Sequence, residues 1–165
     1  MRQKVAPAVV FLLFNLAALA NDPPARKEGL WQRHTVQSEN PANEREDFIQ
    51  TTCRSHDFDN YEQGLIRGLL SRTSCKVTES VNGNVYRSNQ LCQIAGVTID
   101  RKETTTYLGD TALHFESHAT LTPAMAGVTE RTIIADEKYI GACPAQLQPG
   151  DMTSADGKIH HLWRH

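Results

Sequence analysis

Apolar and polar residues alternate along most of this chain at a period of two, the signature of strands with one buried and one solvated face. The clearest case is residues 111–121, where Leu113, Phe115, Ala119 and Leu121 fall on one side and His114, Glu116 and His118 on the other. Strand patterns also cover residues 30–36, 48–53, 74–81, 85–94, 98–108 and 128–140. The punctuation between them is turn chemistry. Asn40, Pro41 and Asn43 sit between the first two strands, and Asn82-Gly83-Asn84 and Gly109-Asp110 mark tight reversals. Gly96 permits a bend or bulge, Thr122-Pro123-Ala124 reads as a connector, and Gly141-Ala142-Cys143-Pro144 closes the patterned region.

Residues 57–70 alone carry a helical period, with Phe58, Tyr61, Leu65, Ile66, Leu69 and Leu70 on one face. Asp59 and Glu62 resemble a capping box, while Gly64 and Gly68 each weaken the helix by roughly 1 kcal/mol against Ala. Such a helix depends on packing against a sheet. The pattern therefore predicts a mainly β fold: an antiparallel meander of about seven strands with one short helix, forming a curled sheet or partial barrel.

The first twenty residues do not belong to that pattern. Arg2 and Lys4 precede a nearly apolar run over residues 8–19, and Ala18-Leu19-Ala20 offers the small residues of a cleavage site. The run is too short to span a membrane comfortably. The expected organisation is a signal peptide at 1–20 cleaved after about Ala20, a flexible lead-in at 21–28, a single antiparallel β domain at 29–144 and a loose polar tail at 145–165. The mature chain is then periplasmic or secreted, with no membrane span. Losing Arg2 and Lys4 leaves 15 Lys and Arg against 19 Asp and Glu, a formal charge of −4. With no basic patch interleaved with aromatics, the sequence argues against a nucleic-acid partner.

Export makes the four cysteines disulfide candidates. Cys75 and Cys92 lie equidistant from the Gly83-Asn84 turn, so the hairpin it closes sets them face to face. Cys53 and Cys143 remain as the second pair. The rival pairing, Cys53 with Cys75 and Cys92 with Cys143, has nearly the same loop entropy, so hairpin symmetry is the discriminating argument. The spacings of 22, 17 and 51 contain no close Cys pair of the kind zinc sites use.

Gly29-Leu30-Trp31 after the leader, the four ordered cysteines, Gly109-Asp110 between two Thr-rich strands and Gly141-Ala142-Cys143 form a set. Over residues 27–144 this set resembles the exported proteobacterial proteins grouped as domain-of-unknown-function family 3617. The resemblance implies a periplasmic or secreted protein of a Gram-negative bacterium, and it implies no reaction. The tail, with His160, His161 and His165, departs from it.

Candidate chemistry is sparse. His114, Glu116 and His118 share a strand face, but strand rise puts the two histidines roughly 13 Å apart, too far to share one ion. A solvated face with cross-strand polar pairs explains them more simply. His160, His161 and His165 are a candidate metal group on a tail with little preorganisation. Asp57, Asp59 and Glu62 lack the loop spacing of a calcium site. Trp31 and Tyr139 read as packing residues, and Trp31, Gly109, Asp110 and Gly141 as structural positions. No nucleophile elbow, zinc-protease helix or phosphate-cradling glycine loop occurs. The expected function is a non-enzymatic exported module, without cofactor, that binds a small apolar ligand or an envelope partner. The alternative is a metal-dependent or acid/base hydrolase working from the His114, Glu116 and His118 face.

Overall fold

A computed structural model describes residues 23–41 and 44–163. The leader at 1–20, Asn43 and His165 lie outside the described residues. Among the described residues the fold is mainly β, with one helix and a single antiparallel sheet of nine strands that does not close into a barrel.

The strands are β1 (Gly29–Asn40), β2 (Glu44–Arg54), β3 (Ser74–Asn82), β4 (Val85–Ile94), β5 (Val97–Tyr107), β6 (Ala112–Met125), β7 (Val128–Gly141), β8 (Asp151–Thr153) and β9 (Ile159–His161), and the helix is α1 (His56–Arg72). Across the sheet they run β3-β4-β5-β6-β7-β1-β2-β8-β9. Chain neighbours from β3 to β7 are sheet neighbours, as expected of a meander. The first hairpin joins the far side, with β1 against β7.

Several turns are tighter than the sequence implies. Ala95 (φ 49°) and Gly96 (φ 81°) form a two-residue turn rather than a bulge, since Ile94 pairs directly with Val97. The segment expected as a connector at Thr122-Pro123-Ala124 is instead the irregular end of β6, and the chain reverses at Ala126 and Gly127. Gly29 (φ +138°) sits where a Cβ would lie 2.5 Å from the Gly141 carbonyl oxygen, so only glycine fits at that entry to the sheet.

Two expectations about the ends are corrected. Residues 145–163 are not loose: β8 pairs with β2, β9 pairs with β8, and the Trp163 ring stacks 5.7 Å from Tyr61 and 6.0 Å from Phe58. The polar sequence conceals this because a three-residue strand is too short to show alternation. Nor is the lead-in wholly free, because Lys27 N donates to Asp110 O and the Trp31 indole donates to Lys27 O, both at 2.8 Å.

Strand alternation divides the sheet into two faces. The inner face buries Trp31, Thr35, Leu113, Ala119, Leu121 and Ala135, and α1 crosses it from the end of β2 to the start of β3. The outer face carries His34, His114, Glu116, His118 and Asp136. Two disulfides brace the frame. Cys53–Cys143 ties β2 to the chain beyond β7, and Cys75–Cys92 crosses β3 and β4 between directly opposed residues.

Candidate functional site, a cleft beside the Cys75–Cys92 disulfide

The helix is capped by Ser55, whose hydroxyl accepts from Phe58 N, and not by the Asp59 and Glu62 box that the spacing predicts. Those carboxylates are occupied elsewhere. Asp59 takes Arg54 at 2.7 Å and Arg26 at 3.1 Å, Glu62 takes Arg54, and Glu137 on β7 takes Arg26 at 3.0 Å and Arg33 at 2.9 Å. Arg54 and Glu137 are both buried. Burial works against the Arg54 charge, but Glu62, Asp59 and Glu137 outweigh it and hold the guanidinium pKa above its usual value. The cluster fastens the lead-in, β1, β2, β7 and the first turn of α1 together.

Beyond this anchorage the helix is poorly covered. Of its apolar stripe only Phe58 is buried, while Tyr61, Leu65, Ile66 and Leu69 are 42 to 55% exposed. The expectation that this stripe packs on the sheet is corrected here. The inner face across from the helix's C-terminal end mixes Gln90 and Arg101 with Ile94, Ile99 and the Cys75–Cys92 disulfide, and a gap separates the two. Burial raises the Glu103 pKa, Arg101 opposes the rise, and Gln90 Nε2 donates to the carboxylate at 3.0 Å.

The gap that results has two compartments. One, of about 190 Å³, is walled by Leu69, Leu70, Ile94, Ile99 and the Cys75–Cys92 disulfide, with Gln90 and Arg101 at its polar margin. The second, of about 400 Å³, lies between Arg67, Leu70 and Ser71 of α1 and Val77 and Glu79 of β3. Leu70 and Cys75 border both. The first has mostly hydrocarbon walls with Thr73, Gln90 and Arg101 as its polar groups, and together with the second it reaches the volume range of small-ligand pockets. Sequence reading did not locate it, because its walls join Leu69 and Leu70 of a helix stripe expected to be buried to Ile94, Ile99 and the disulfide on strands distant in the chain.

The sequence-derived site residues lie elsewhere. His114 Nδ1 is 2.8 Å from Asp136 Oδ1 across the β6–β7 ladder, and Nε2 is 3.1 Å from Glu116. These hydrogen bonds, Asp136 foremost, raise the His114 pKa on a face open to solvent. His118 is exposed, opposite Lys102 and Thr132, and is not brought to His114. A second such pair, His34 Nε2 with Asp47 Oδ1 at 2.6 Å, lies on the same face, with His34 in register opposite Asp136. The sequence hides it because the strand pattern begins only at Phe48, whereas β2 starts at Glu44 and so takes Asp47 into the ladder. In the tail His161 Nδ1 lies 2.5 Å from the buried Asp151, and the adjacent His160 Nε2 lies 3.4 Å from Ser154 Oγ. Among the described residues no three His, Cys, Asp or Glu side chains are grouped to hold a metal ion, and no helix is long and apolar enough to cross a membrane. The two disulfides accord with a non-reducing compartment.

Compared with known proteins, the chain matches no family model and no curated protein.

Proposed function

We propose that this chain acts as a non-enzymatic binding module in the periplasm or outside the cell, taking a small apolar ligand into the cleft between α1 and the β3–β5 hairpins. The observation that carries the reading is the pair of adjoining compartments, of about 190 and 400 Å³, the first of them where Leu69, Leu70, Ile94 and Ile99 converge on a disulfide and stay open to entry. Leaving this much hydrocarbon half exposed on a small exported domain forgoes burial worth about 25 cal/mol per Å², which a ligand would recover. Arg101, with donors beyond the one near Glu103, favours a ligand whose apolar body ends in one oxygen-bearing group. The leader-like first twenty residues, the paired cysteines and the resemblance to family 3617 support the exported setting.

The hydrolase reading has less behind it. His114 and Asp136 form a histidine–carboxylate pair, but on an open face. The test is native mass spectrometry of protein isolated from periplasm, with binding of N-phenyl-1-naphthylamine as a solution probe. Wild type is expected to carry an additional mass and to bind the probe, and Leu69→Arg to lose both. A homogeneous unliganded mass together with no probe binding overturns the reading.

A further inference from the structure

We propose that β3 is a self-pairing edge through which two copies of this chain join in a symmetric dimer with one continuous sheet. The sheet ends in two unequal edges. On one side β9 is three residues long, while on the other β3 offers nine residues that, among the described ones, pair only with β4. The β3–β4 register runs through all nine without a shift, and the strand contains no proline. Of the devices that blunt the edge of a monomeric sheet, β3 lacks proline, bulge and short length; it does carry Lys76 and the inner-face Glu79, the latter 3.6 Å from Arg67 of the adjacent helix, and the pairing has to accommodate both. Its seam would be about 30 Å long at the usual strand rise.

The side chains identify the occupant. A two-fold axis perpendicular to the sheet keeps both inner faces on one side, so each residue must pair with one of the same face. Full overlap of the nine residues sets Thr78 opposite its own copy. Lys76 then meets Ser80, Glu79 meets Val77, and Cys75 meets Val81. No like charges oppose each other, and the central Thr–Thr pair is a favourable one. A shift by one face-preserving step in one direction would set Glu79 against Glu79. Beside the seam lies the 400 Å³ compartment bordered by Leu70, Val77 and Arg67, with Arg67 3.6 Å from Glu79. In this register Val77 and Val81 of the second copy project along that same side. An extended peptide from another protein would need to reproduce this pattern, whereas a second copy already carries it.

Three measurements on the disulfide-bonded mature chain test the register. Sedimentation equilibrium is expected to show a monomer–dimer equilibrium. Thr78→Cys, on the outer face away from the native disulfides, is expected to give a covalent dimer on mild oxidation, and Asn82→Cys to give none. Ser80→Lys, which faces Lys76 of the second copy twice per dimer, is expected to weaken association about fivefold at low salt, and Ser80→Glu to strengthen it. A monomer at every concentration overturns the proposal. So does a dimer in which the Thr78→Cys variant fails to crosslink, or in which the two Ser80 variants associate alike. None of these readouts depends on the cleft ligand, so the failure of one proposal leaves the other standing.

Discussion

Arg54 Nε lies 2.7 Å from Asp59 Oδ1, joining the last residue of β2 to the first turn of α1. Asp59 also holds Arg26, whose other arm reaches Glu137, so one carboxylate secures three segments. With Arg54 8% exposed, its charge has little recourse to water. Removing the partner of a buried ion costs far more than the pair contributes, because the survivor stays desolvated. Because Glu62 still holds Arg54 and Glu137 still holds Arg26, Asp59→Ala is expected to lower stability by about 1–3 kcal/mol in urea unfolding, short of the cost of a fully stranded ion. A loss under about 1 kcal/mol, the range of exposed pairs, would show the network to be effectively solvated.

The disulfides differ in the loops they close, 17 residues for Cys75–Cys92 and 90 for Cys53–Cys143. Loop entropy gives about 3 kcal/mol for the first and about 4.6 kcal/mol for the second. Serine replacement of each pair is expected to rank in that order by urea midpoint. Cys75→Ser with Cys92→Ser should also abolish probe binding while leaving a folded sheet, since that bridge walls the cleft. Retained binding would place the ligand elsewhere.

Much of the frame was legible because strand alternation is local. The Asn82-Gly83-Asn84 reversal sets Cys75 opposite Cys92, and the β6 sequence alone separates Leu113 and Phe115 from His114 and Glu116. What was not legible depends on distant partners. Asp59 and Glu62 have the spacing of a cap, yet Arg26 and Arg54 claim them, and Ser55 takes the cap instead. The helix stripe predicts burial, but Leu65 and Leu69 stay about half exposed, and the residues that border the cleft with Leu69, among them Gln90, Ile94, Ile99 and Arg101, lie on strands twenty or more residues away. The cleft is built from helix and strands together, so no single segment announces it.

Trp163 couples the tail to the helix. Its ring stacks on Tyr61 and touches Phe58, and its Cβ crowds Gly150, where an added methyl would meet it at 2.7 Å. Trp163→Ala is expected to cost about 1–3 kcal/mol, below the value for a fully buried aromatic because this ring is only partly covered. Hydrogen exchange at β8 and β9 should accelerate while exchange in β5 to β7 stays unchanged. Equal protection in mutant and wild type would mean that backbone pairing with β2 holds the tail without the ring.

His114 gives the chain a pH-dependent term of predictable sign. Its hydrogen bonds to Asp136 and then Glu116 raise the folded pKa above 6.5. A raised histidine stabilises the fold fully below its unfolded pKa, and that contribution disappears as pH climbs through the folded one. The side chain is 35% exposed, so solvent screening limits the effect to that of a surface pair, about 0.2–1 kcal/mol. The stability difference between wild type and His114→Gln is thus expected to be largest near pH 5 to 6, to shrink as pH rises above 6.5, and to diminish with added salt. His34, in register opposite Asp136, and Asp47 remain in both proteins and cancel in the difference. Nuclear magnetic resonance titration of the His114 ring, beside urea midpoints across that range, checks both halves. A midpoint difference that grows with pH would reverse the sign and break the assignment of Asp136 as the partner that sets this histidine's charge.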